Sequence, residues 1–167
     1  MYTKRLHTYK KMGFDIISEM QKDKQSANAI YNADNYTDIF EQDLAEANNS
    51  IIISSPAVTS DKIERLIQIL KPRQEAGVRV SVMLTNPENR WYGNTDFYLS
   101  LIEKMKEIGI QIIITKEDKE CFAIIDRELV WHGGMNLLGK VDAWDNLIRI
   151  KSESIAQELM GMIQEEL

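Results

Sequence analysis

The chain is 167 residues long, about one domain, and its 44% hydrophobic content is too high for a disordered protein. One cysteine, Cys121, excludes an internal disulfide, and with only His7 and His132 beside it no metal site or cofactor is expected. The net charge of −6 argues against a surface that grips nucleic acid all over, and no apolar run is long enough for a membrane; with no signal-peptide pattern, the cytoplasm is the expected compartment.

Residues 1–28 are expected to form a helical arm ahead of a main domain at residues 29–167. Leu6, Tyr9, Met12, Ile16, Ile17 and Met20 recur at three- and four-residue steps, the spacing of an amphipathic helix. The arm is basic, with Lys4, Arg5, Lys10, Lys11, Lys22 and Lys24 against Asp15, Glu19 and Asp23. The opposite end is acidic, with Glu153, Glu158, Glu165 and Glu166. A basic arm on an acidic body can touch phosphates or an acidic partner; the same charges also suit a solvated helix face. Polar residues 22–35 read as the connection to the body.

Ile39, Phe40, Leu44 and Ala47 predict a helix starting near Thr37 or Asp38. Residues 50–55 (SIIISS) read as a buried strand stopped by Pro56. Thr59-Ser60-Asp61 offers the next helix start, with Ile63, Leu66, Ile67 and Leu70 on one face. Pro72 is expected to kink or shorten that helix. After Gly77 come a strand at 78–84, a helix at 97–108 closed by Gly109, and a strand at 110–115. Residues 121–126 and 129–132 predict a hairpin turning through Arg127-Glu128. A strand at 147–151 and a helix from 152 to about 165 end the pattern. Alternation of strands and helices, followed by successive strands, predicts an α/β fold: a mixed β-sheet flanked by helices.

The stretch CFAIIDRELVWHGGMN is the candidate site. Asp126 stands where a strand meets a turn, Gly133 and Gly134 let backbone approach closely, and Asn136 can present an amide. A tight hairpin with Asp and Gly in ordinary turn roles accounts for the same residues. The spacing of Asp126, Gly133, Gly134 and Asn136 resembles the phospholipase D superfamily motif, H-x-K-x4-D-x6-G-S/G-x-N. DLAEANNSIIISSP and EAGVRVSVMLTNP are similar to that family's opening helix–strand and central strand. The resemblance runs from about Ile30 onward, and is nearest to phospholipase D-like domains attached to bacterial DNA helicase-like proteins.

The resemblance implies a histidine nucleophile with a lysine and an asparagine holding the phosphate. Here those first two positions are Lys119 and Cys121. A protonated lysine is a poor nucleophile, and a thiol does not replace a permanent cation. Strand alternation would put Lys119 and Cys121 on one face, leaving Lys119 to offer charge to phosphate. The expected role is therefore a non-catalytic module of, or beside, a helicase-like protein, which binds a DNA or RNA backbone, dimerises, or both. Lys119, Gly133, Gly134 and Asn136 are candidate phosphate contacts, with Lys4, Arg5, Lys10 and Lys11 of the arm. Because the family builds one site from two motifs, a homodimer with Asp126 and Asn136 near its axis is expected. Two other readings stay open: a phosphodiesterase or nuclease working through unusual residues, and a purely structural interaction domain.

His132 is considered as a displaced nucleophile, and His7 as a residue reaching a neighbouring subunit's site. Cys121 and Arg127 form C-x5-R, the spacing of cysteine-dependent phosphatases, but without the glycine-rich loop that chemistry needs. Arg90, Trp91 and Tyr92 suit either stacking on bases or packing over a core edge. Trp131 reads as core and Trp144 as a lid on the sheet.

Overall fold

The computed structural model describes residues 29–86, 95–141 and 144–164. The arm, with His7, Lys4, Arg5, Lys10 and Lys11, and the segment with Arg90, Trp91 and Tyr92 lie outside the described residues. Among the described residues seven strands form one sheet: β1 (Ala29–Asn32), β2 (Ser50–Ser54), β3 (Arg79–Thr85), β4 (Gln111–Thr115), β5 (Cys121–Ile125), β6 (Leu129–Gly133) and β7 (Asn146–Lys151). Four helices among the described residues accompany them: α1 (Tyr36–Ala45), α2 (Ser60–Glu75), α3 (Thr95–Glu107) and α4 (Glu153–Met162).

The strand order is β1-β7-β6-β5-β2-β3-β4. Strands β2, β3 and β4 run parallel, joined through α2 and α3. Every other pairing is antiparallel. The mixed sheet expected from the alternation is the one observed. The central strands are apolar on both faces, as strands covered twice must be. Ile51, Ile53, Val80, Val82, Ala123, Ile125 and Trp131 pack against α1, α2 and α3. Ile52, Met83, Ile113, Phe122, Ile124 and Val130 pack against α4 through Ala156, Leu159 and Ile163. The sheet thus has a three-helix face and an α4 face.

Three expectations are corrected. The polar connection at 22–35 ends in a strand, β1, whose Ala29–Asn32 pair with Arg149–Asn146 of β7. Helix α2 is not shortened by Pro72 but runs on to Glu75. Pro72 lies in its last turn, where a missing N–H forfeits a single hydrogen bond, and the Pro72 carbonyl still accepts from Ala76 N at 3.0 Å. The β5–β6 turn begins one residue early: it holds Asp126 (φ 55°) as well as Arg127 (φ 60°) and Glu128, with Glu128 N donating to Ile125 O. The register pairs Ile125 with Leu129 and leaves three residues in the turn, and positive φ at the first two matches the right-handed twist of the flanking strands. Gly77 (φ 93°) and Gly109 (φ 96°) end α2 and α3 as the sequence suggested.

Candidate functional site

The parallel strands β2, β3 and β4 all end in hydroxyl residues: Ser54 and Ser55, Thr85, and Thr115, each buried. In open α/β sheets the carboxyl ends of parallel strands are where ligands gather. Here the hydroxyls fasten the segment leading into β5. Ser54 Oγ donates to Glu120 O at 2.6 Å, Thr85 Oγ1 to Asp118 Oδ1 at 2.7 Å, and Thr115 Oγ1 to Glu117 O at 2.8 Å. Half-buried Lys119 sits in this tethered segment. Strand β5 begins at Cys121, two residues after Lys119, so the alternation from which a shared face was expected starts beyond Lys119.

Cys121 lies opposite Gly133 in the β5–β6 ladder. Its parity with Ala123 and Ile125 points the thiol to the three-helix face. There Cys121 Sγ comes within 3.7 Å of Asn136 Oδ1. The same oxygen accepts from Ala57 N at 3.3 Å, beyond the end of β2. Ser55 Oγ donates to Ala57 O at 2.7 Å and accepts from Leu138 N at 3.2 Å, holding the loop that carries Asn136. Gly133 is needed for packing: a Cβ there would collide with the Asn146 carbonyl of the neighbouring strand. Gly134 is exposed beside them.

The structure therefore brings Cys121, Gly133, Gly134 and Asn136 together, with Lys119 in the adjoining loop. It does not bring Asp126 to them. Asp126 closes the other end of β5, five extended residues or ~16 Å from Cys121. Its carboxylate accepts from Asn48 N, Asn49 N and Ser50 N at 2.7–3.1 Å, pinning the amino end of β2. Asp126 and Asn136 stand at opposite ends of the hairpin. The hydroxyl residues were missed in the sequence; their signal was three apolar strands (SIIISS, VSVMLT, QIIIT) each ending in Ser or Thr.

His132 does not join this group. It pairs with Phe122, which belongs to the α4 face, so its ring lies across the sheet from Cys121 and Asn136. Its Nε2 contacts Glu120 Oε2 at 2.9 Å. Cys121 and Arg127 bracket β5 from opposite ends, so C-x5-R forms no phosphate loop here. Trp131 is core, fully buried against Tyr31 and Phe40 at ring distances of 5.1 and 5.4 Å. Trp144 is 93% exposed and does not lid the sheet.

Sequence reasoning also missed a buried ion pair. Arg149 Nε and Nη2 donate to the two carboxylate oxygens of Asp43 at 2.7 and 2.9 Å, and Trp131 Nε1 donates to Asp43 Oδ2 at 2.8 Å. Burial works against the Arg149 charge, but the hydrogen bond and charge of Asp43 outweigh it and raise the guanidinium above its ordinary pKa. The pair walls a cleft of about 280 Å³ at the Asp126 end of the sheet, together with Glu46, Glu128 and Lys151. Among the described residues no cluster of three or more His, Cys, Asp or Glu is arranged to hold a metal. No helix among them is long and apolar enough to cross a membrane.

A mixed sheet with hydroxyl-ended parallel strands, followed by a hairpin and a Gly-Gly-x-Asn loop, defines a phospholipase D-like domain. The chain belongs to that family: the family model for the cardiolipin synthase, PLD-like domain matches residues 40–166. Solved structures of the same fold include Nuc from Salmonella typhimurium, a phospholipase D family member (TM-score 0.68, 14% identity, 84% of this chain and 93% of that one). NucT from Helicobacter pylori is similar (TM-score 0.62, 14% identity, 83% of this chain and 94% of that one). TrmBL2, an archaeal chromatin protein with a novel mode of DNA binding, matches over 98% of this chain and 62% of its own (TM-score 0.59, 16% identity). No curated protein matches the sequence.

Proposed function

We propose that this chain is a non-catalytic phospholipase D-like module that holds the phosphate backbone of a nucleic acid and pairs with a second copy, within or beside a helicase-like protein. The observation that carries the reading is the Cys121–Asn136 contact. At the two positions where the family motif places its nucleophilic histidine and phosphate-holding lysine, this chain has Lys119 and Cys121. The thiol faces an amide oxygen, and the one described imidazole lies on the other face of the sheet. What remains for phosphate is the Lys119 charge, Asn136 and the open backbone around Gly133 and Gly134. The cations Lys4, Arg5, Lys10 and Lys11 add a second source of contacts. The DNA binding of TrmBL2, on a related fold, supports the same direction.

Fluorescence anisotropy with labelled single- and double-stranded DNA at several salt concentrations tests this. Binding is expected in the range of ~1–100 μM near physiological salt, weakening steeply as salt rises. Neutralising Lys4, Arg5, Lys10 and Lys11 together should lower both the affinity and the salt slope. Hydrolysis of an activated phosphodiester should stay at the buffer background. Cleavage abolished by Lys119→Ala or His132→Ala would instead establish a phosphodiesterase working through unusual residues. No DNA binding at low salt would leave an interaction domain.

A further inference from the structure

Among the described residues the α4 face is incompletely covered. Helix α4 packs over the middle of the sheet and leaves the β7–β1 side open, where Ile148 is 40% and Ile30 71% exposed. These two are partners in the β1–β7 ladder, and Ile148 lies opposite His132, so they continue one cross-strand row on that face. The three-helix face, by contrast, buries Tyr31 and Leu147 of the same two strands. Among the described residues α4 alone covers this face, and an exposed apolar row beside it has room for a second helix.

We propose that residues 1–28 of the same chain supply it, docking as an amphipathic helix across β1 and β7 alongside α4. The chain reaches β1 at Ala29, which pairs with Arg149, two residues from the end of β7 at Lys151. Helix α4 departs from that same end of the sheet at Glu153. Arm and α4 thus leave from one edge, next to the uncovered row. The stripe Leu6, Tyr9, Met12, Ile16, Ile17 and Met20 would extend ~22 Å as a helix, comparable to the length of β7.

Charge favours the same occupant. Helix α4 carries Glu153 and Glu158 and no cation, while the arm holds six cations against three carboxylates. At about 100° per residue, Lys10 flanks the apolar stripe, where it would meet the α4 carboxylates. Lys4 and Lys11 fall on the opposite side and would face solvent. The docking does not depend on nucleic-acid binding and is tested separately from it.

Disulfide trapping in the full chain, with Cys121→Ser as background, decides the matter. One stripe cysteine at a time (Tyr9→Cys, Met12→Cys or Ile16→Cys) is combined with Ile148→Cys. At least one pair should close within a single chain under mild oxidation. Its yield should be roughly ten-fold or more above Lys11→Cys with Ile148→Cys, because docking raises the effective concentration only for the buried side. The same stripe cysteine with Ile114→Cys, on the three-helix face, should also give low yield. Bonds joining two chains would assign the row to a second copy and overturn the proposal, as would equal yields from all pairs. Carbodiimide coupling of the unaltered chain gives a readout free of substitutions. Links from Lys10 to Glu153 or Glu158 within the monomer are expected, and arm lysines coupled only elsewhere would overturn the docking.

Discussion

Asp126 is the residue whose role changes most between spacing and structure. Both of its oxygens accept from backbone amides at the head of β2, and its own N–H donates to Ser50 O at 2.7 Å. Asp126→Ala should therefore cost about 2 kcal/mol, from lost charge-assisted hydrogen bonds and an unfavourable positive φ. Asp126→Asn keeps an acceptor and tolerates that φ, so it should cost less. Urea denaturation of the two variants measures the order; equal stability of Asp126→Ala and the parent chain would remove the clamp. If the site is only at the Asn136 end, DNA affinity should be unchanged in Asp126→Asn. The spacing made Asp126, Gly133, Gly134 and Asn136 visible in the sequence, because a motif fixes separations along the chain. It was silent on which end of a strand each residue occupies, and so could not tell a clamp from a contact. Lys119 shows the same limit, since the strand whose alternation was applied to it begins only at Cys121.

At the level of elements, β1 and α1 are joined to the sheet by the Asp43–Arg149 pair and the stacked rings of Tyr31, Phe40 and Trp131. Arg149 is only 5% exposed, so Asp43→Ala would strand a buried cation and should cost ~3–5 kcal/mol. Asp43→Leu combined with Arg149→Met should be clearly more stable than Asp43→Ala alone, because no charge is left unpaired. Chemical denaturation followed at Trp131 reads both; a double variant as unstable as the single would contradict the argument. Strands β2 to β7 were legible because each is an apolar run bounded by Gly, Pro or polar residues. Strand β1 was not. AIYN is four residues in a polar stretch, and its order comes from β7 and Trp131, a hundred or more positions away. The extent of α2 was misjudged for a local reason, since the cost of Pro72 depends on how few residues follow it.

For the whole molecule, the predicted class and the mixed sheet were both readable, because alternation and strand order reflect burial along the entire chain. Pairing of two copies is the proposal that belongs at this scale. The geometry restricts where a shared site would lie: beside Cys121 and Asn136, not Asp126. Sedimentation at tens of micromolar should give a dimer, and a charge placed at exposed Gly134 (Gly134→Glu) should shift it towards monomer. A monomer in the parent chain would rule out the pairing.

The partnership of β1 with β7 also governs the order in which the sheet is made. The earliest described strand has no neighbour until the last one exists, so during synthesis Ile30 and Tyr31 must wait while nearly all the intervening chain is produced. Closing so long a loop is entropically slow, and sheets that depend on such pairings fold late at that edge. The edge holding β1 is then the last to close in folding and the first available to open. A fault in β7 would be felt at the opposite end of the sequence.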